Sequence, residues 1–125
     1  MNNIPTAIGP YSTYRKTNDL LFTSGQIPLD PLTNELTGEN VADQARQCLK
    51  NIASILVTEN LSLNDVIKFT VFLTDLQQFD SLNQVFNEYL QQPYPARSAI
   101  EISALPKQAL IEIEAIATFS SKQFI

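Results

Sequence analysis

Hydrophobic positions recur along this chain with two different periods. Val41, Ala45, Cys48, Ile52 and Ile55 are spaced by three and four, with Leu49 and Leu56 widening the stripe, which predicts a helix. Asn40 stands before it as an N-cap, and Asp43 lies in the first turn, where the helix dipole favours negative charge. Asp43, Gln44, Arg46, Gln47, Lys50 and Asn51 make up the opposite, polar face. A second helix is expected from about Leu76 to Leu90 on the stripe Phe79, Leu82, Phe86 and Tyr89. Asp75 would cap it, Gln78 would complete a capping box, and Pro93 and Pro95 would end it.

The remaining apolar stretches are short and rich in β-branched and aromatic residues. They predict strands over Tyr11–Lys16, Leu20–Gln26, Val66–Leu73, Ser98–Ser103 and Leu110–Phe119. Pro28 to Gly38, with two prolines, Asp30, Asn34 and a glycine, reads as a loop. The order is ββαβαββ, an α+β fold, with residues 1–125 as one domain and 120–125 as a C-terminal extension. Two helices can cover only one face of a five-stranded sheet. Yet the last strand alternates Ile111, Ile113, Ala115, Ala117 and Phe119 with the apolar Leu110 and Ile116. The uncovered face is therefore expected to meet another copy of the chain, giving a homo-oligomer.

Composition narrows the chemistry. The 125 residues include 8 basic and 13 acidic ones, a net charge of −5, and no basic cluster longer than Arg15-Lys16, so nucleic acid is not an expected partner. Apolar runs are too short to span a bilayer, the start lacks the basic and apolar regions of a secretory leader, and the only cysteine is Cys48. These features predict a cytoplasmic protein without disulfides or membrane contact. There is no histidine, which excludes a Ser-His-Asp triad and a histidine-based metal site. Cys48 lies on the apolar stripe and reads as a small hydrophobe.

Arg97 is one of three arginines and follows a Pro-x-Pro turn, at the mouth of an apolar strand. Its guanidinium could clamp a carboxylate through two parallel hydrogen bonds, or form an ion pair with Glu101 or Glu112; local context leaves both readings open. Glu112 and Glu114 share one face of the last strand, where a carboxylate could hold a water or pair with a cation. Gly25, after Ser24, would allow close backbone approach to a ligand or form a bulge. Tyr11 could cover a ligand or pack in the core, and Asn83 lies beside the stripe of the second helix.

Taken together, Ala7-Ile8-Gly9-Pro10-Tyr11-Ser12, Thr23-Ser24-Gly25-Gln26-Ile27-Pro28, Tyr94-Pro95-Ala96-Arg97-Ser98 and Ile111-Glu112-Ile113-Glu114-Ala115-Ile116-Ala117 resemble the Rid family of reactive intermediate deaminases, YjgF type. The resemblance runs from about Ala7 to Ala117. It implies a chorismate-mutase-like fold, a homotrimer with sites between subunits, and cofactor-independent hydrolysis of enamines and imines, released by pyridoxal-phosphate enzymes, to 2-keto acids and ammonia. It assigns Arg97 to the substrate carboxylate, Glu112 to the hydrolytic water, and Tyr11, Ser24, Gly25 and Asn83 to the pocket lining. Ala99 departs from the cysteine common in the family, so no thiol role carries over. A sensor that binds 2-keto or imino acids without turnover would use the same pocket. An endoribonuclease role is disfavoured by the acidic balance and the missing histidine.

Overall fold

The computed structural model describes residues 3–120. Strands β1 (Tyr14–Lys16) and β2 (Leu20–Thr23), helix α1 (Val41–Val57), strand β3 (Val66–Leu73), helix α2 (Phe79–Tyr89), and strands β4 (Ala96–Glu101) and β5 (Ile111–Thr118) follow in the expected order. The sheet runs β1-β2-β5-β3-β4. β3 and β4 are parallel, and the other neighbours are antiparallel. The parallel pair follows from connectivity, since α2 is the crossover that two parallel neighbours require. The fold is thus α+β, with two helices on one mixed sheet.

One face of the sheet makes the core. Leu21, Phe69, Val71, Leu73, Ile111, Ile113, Ala115 and Ala117 pack against the stripes of α1 and α2. Phe69 meets Phe86 of α2 edge to face, with ring centroids 5.3 Å apart. Cys48 is fully buried, its thiol directed at the carbonyl of Ile111, and burial pushes its pKa up; it is a core residue, as its place on the stripe implied. The other face carries Phe22, Phe72, Ile100 and Ile116 and no helix covers it; Phe22 is 40% exposed and Ile100 44%.

Local signals held where side chains act on their own element. Asn40 caps α1 by accepting the Asp43 N–H at 2.8 Å. Three expectations need correction. Gln44 and Asn51, placed on the solvent side of α1, are buried. Gln44 donates to the Gly38 carbonyl at 3.1 Å and accepts the Leu110 N–H at 2.8 Å, while Asn51 donates to the Leu29 carbonyl at 3.0 Å. The loop after β2 folds back over α1, and these amides satisfy backbone groups that it would otherwise bury unpaired.

The second correction is the start of α2. Asp75 caps a 3-10 turn, Leu76–Gln78, by accepting the Gln77 N–H at 2.9 Å, and Gln78 makes no capping bond. The third concerns strand ends. Residues 11–13 stand outside β1. Beyond Thr23 only Gln26 rejoins the sheet, bridging to Ile113 through bonds of 2.8 and 3.1 Å. β4 begins at Ala96, which puts Arg97 inside the sheet. Of the C-terminal extension, residues 121–125 lie outside the described residues. Among the described residues, no helix is long and apolar enough to cross a membrane.

Candidate active site

The register of the sheet decides where each candidate points. Arg97 is paired with Phe69, which is paired on its other side with Ala115. Side chains in register share a face, so Arg97 projects to the side of the helices. There its guanidinium carbon stands 5.0 Å from the ring centroid of Phe79 and 5.2 Å from that of Phe86. Two aromatic faces thus hold a guanidinium in a fixed plane. Among the described residues, no carboxylate lies within ion-pairing distance of it: Glu101 instead accepts the Leu76 N–H at 2.8 Å. Partial burial lowers its pKa, and no protein anion offsets that cost. The ion-pair reading of Arg97 is therefore removed, and its donors are free for an anionic ligand.

Arg97 lines a cleft of about 350 Å³ between α2 and the edge strand β4. Phe69, Phe86 and Leu90 form its apolar floor, while Asn83, Asn87 and Tyr94 stand with Arg97 around it. Asn83 was singled out from the sequence; Asn87 and Tyr94 were not. The signal for Asn87 was available, because it lies four residues from Asn83 and so on the same helix face.

Glu112 occupies the opposite face. Its neighbours Ile111 and Ile113 enter the core, and Glu112 itself is paired with Phe72 on the uncovered side. Its carboxyl lies directly over Gly25: a Cβ built on that glycine would overlap Oε2 and come within 2.7 Å of Cδ. Burial, and then the charge of Glu114 two residues on, raise the pKa of Glu112. Tyr11 is half exposed and lines two hollows, one of about 400 Å³ with Ser24 and one of about 40 Å³ with Gly25. Ser24 donates its hydroxyl to the Ser12 carbonyl at 2.7 Å, which braces this turn.

The six candidates therefore form two groups. Arg97 and Asn83 share the cleft on the helix face, whereas Glu112, Gly25, Ser24 and Tyr11 gather on the other side and at its margin. One chain does not bring Arg97 and Glu112 together.

The chain is a two-helix, five-strand α+β protein with an arginine free of ion pairs in a small cleft and a carboxyl seated on glycine. The family model described as Endoribonuclease L-PSP matches residues 1–119, and the chain belongs to this family, the Rid or YjgF/RutC proteins. A RutC family protein of Pyrococcus horikoshii is 52% identical over 115 residues, covering 92% of this chain and 91% of its own. TdcF of Escherichia coli, described as a candidate reactive intermediate deaminase, is 45% identical over 120 residues, with 94% of this chain and 92% of TdcF covered. The crystal structure of TdcF with bound serine superposes with a TM-score of 0.86, at 44% identity and 94% coverage of each chain. RidA from an Antarctic Psychrobacter reaches a TM-score of 0.91 at 44% identity, covering 95% of this chain and 96% of its own.

Proposed function

We propose that this protein hydrolyses reactive 2-imino and 2-enamino acids, such as 2-aminoacrylate, to 2-keto acids and ammonia, without a cofactor. The observation that carries the reading is the unpaired Arg97 guanidinium, braced between Phe79 and Phe86 at the edge of a small cleft. A fork of donors with no protein anion is suited to a substrate carboxylate. A serine-bound relative, TdcF, accords with a small ligand of that kind.

The chemistry asks little of the protein. An enamine protonated at C3 becomes the iminium, whose C2 is already electrophilic. Water attacks C2 while the Glu112 carboxylate takes its proton, giving a tetrahedral carbinolamine. The same proton then returns to the amino group. As the C2–N bond breaks, the carbinol hydroxyl gives its proton to the Glu112 carboxylate, which passes it to solvent and so balances the proton taken up at C3. The keto acid and ammonia leave. Water supplies the oxygen, and no oxidation occurs. Glu112 needs only to be ionised and fixed in place; its raised pKa makes it a stronger base than an exposed glutamate. Orientation by Arg97 supplies the rest.

Because Arg97 and Glu112 lie on opposite faces of one sheet, the reading requires a second copy. We propose a homotrimer in which the Arg97 cleft of one subunit receives the Glu112, Gly25, Ser24 and Tyr11 group of its neighbour. The uncovered face with Phe22, Ile100 and Ile116 would supply the contact.

Mixed assemblies test both parts. Arg97→Ala and Glu112→Gln should each abolish ammonia release in an assay coupled to a threonine or serine dehydratase. Unfolding the two variants together and refolding them should restore activity, with about one quarter of the sites intact by random assortment. Absence of recovery in mixed trimers would refute the shared site. Binding of pyruvate or 2-ketobutyrate with no turnover by the unmodified protein would replace the enzyme by a sensor.

A further inference from the structure

We infer that Lys68 of one subunit pairs with Glu114 of the next across the uncovered face of the sheet, the pairs closing a ring that holds the copies in one register. The inference rests on the homotrimer proposed above and adds the contact that decides how its copies meet. β5 and β3 lie inside the sheet, between β2 and β4. On the side away from the helices, Lys68 stands opposite Ile116 and Glu114 opposite Thr70, so the two charges are diagonal neighbours. Phe22, Phe72, Ile100 and Ile116 share this face with them. Both are already partly buried in the single chain. Among the described residues, neither side chain makes a hydrogen bond or an ion pair.

A second copy laid on this face removes the water that both charges rely on, and a charge buried without a counter-ion is costly. Arg15 lies on the same face, but it is exposed on the edge strand β1 and can keep its hydration. Lys68 and Glu114 stand on interior strands, away from that edge. They carry opposite signs, so one surface offers both halves of a complementary contact. In a ring of identical subunits each interface joins two different patches, and every Lys68 can meet a Glu114. A displaced register would set like charges together or bury them unpaired. Glu114 is two residues from Glu112 on β5, so anchoring it also fixes where Glu112 enters the neighbour's Arg97 cleft.

The test is charge reversal, read as molar mass by light scattering over a dilution series. Lys68→Glu and Glu114→Lys should each raise the concentration at which the trimer half-dissociates by about 100-fold or more, because like charges then meet at every interface. Lys50→Glu makes the same charge change on the exposed side of α1 and should leave that concentration in place. The two reversed variants are then refolded together. In any mixed trimer all but one of the contacts join opposite charges. Trimer should therefore reappear at concentrations where each variant alone is monomeric, and ammonia release should return with it. A pair formed within one chain gains nothing from mixing, so a mixture no more trimeric than its components overturns the inference. A trimer that neither reversal weakens overturns it as well. Circular dichroism verifies that the variants fold. Should a single variant not fold, Lys68→Glu/Glu114→Lys, which restores opposite charges, decides: it must be trimeric, and a monomer overturns the inference. An unmodified protein that is itself monomeric removes the homotrimer reading, whereas a trimer that fails only the reversal and mixing arms leaves that reading standing.

Discussion

The carboxyl of Glu112 fills the space in which a side chain at Gly25 would stand. The two residues belong to neighbouring segments of the sheet, joined by the Gln26–Ile113 bridge. Gly25→Ala would therefore displace the end of a flexible side chain rather than backbone. Stability should change little, but Glu112 would move by the order of an ångström, and such misplacement costs about 10²-fold in kcat. Steady-state kinetics beside a thermal melt would separate the two effects; a variant with full activity would sink the proposed role of Glu112.

Arg97→Lys keeps the positive charge but loses the planar fork and its seat between two rings. Hydrogen bonds to charged groups contribute about 1.5–3 kcal/mol, so loss of one bond should lower kcat/KM by about ten- to 100-fold. Lysine matching arginine in kcat/KM would reduce the residue to a point charge.

A carboxyl with a raised pKa keeps its proton to higher pH than an ordinary glutamate. Protonated Glu112 cannot take a proton from water, so activity should fall as pH drops through its pKa. The acid limb should therefore lie above the ordinary value of about 4.3. Burial is the larger cause and Glu114 the second, so Glu114→Gln should shift the limb to lower pH without abolishing it. A pH–rate profile that Glu114→Gln leaves in place would detach the limb from Glu112.

The same shift has a sign for stability. Between the unfolded and folded pKa values the native state binds more protons, so stability contributed at Glu112 declines as pH rises, and the penalty is complete above the folded pKa. Glu112→Gln should thus be inactive yet more resistant to denaturant at neutral pH. Equal or lower resistance in urea titrations would count against the burial described.

Gln44 joins the loop carbonyl of Gly38 to the start of β5 at Leu110. Gln44→Ala leaves both partly buried groups without their partner, and each costs at most about 1–3 kcal/mol, the figure for a fully buried orphan. The shift of the urea midpoint measures this directly.

These residues also mark the limit of what periodicity reveals. The stripe of α1 was legible because Ala45, Cys48 and Ile52 need a dry neighbour, and hydropathy encodes that need. Gln44 and Asn51 carry the polar signal of a solvent face, and only the path of the loop turns them inward. Arg97, Glu112, Tyr11, Ser24, Gly25 and Asn83 could be singled out by residue type and motif. Their division between two faces could not be read in advance. It depends on the pairing of Arg97 with Phe69 and of Phe69 with Ala115, which is a long-range fact of register.

β5 lies between β2 and β3, within the sheet. Its odd-numbered residues from Ile111 to Ala117 fill the core, while the even-numbered Glu112 and Glu114 face the other way. Foldability and reactivity are thus written on one strand in interleaved positions, like two messages on alternate lines. Inserting or deleting a single residue near Ala109 would transpose them, driving two carboxylates toward the core and turning its isoleucines outward. Point substitution can vary this segment, but a change in length cannot alter one message without scrambling the other.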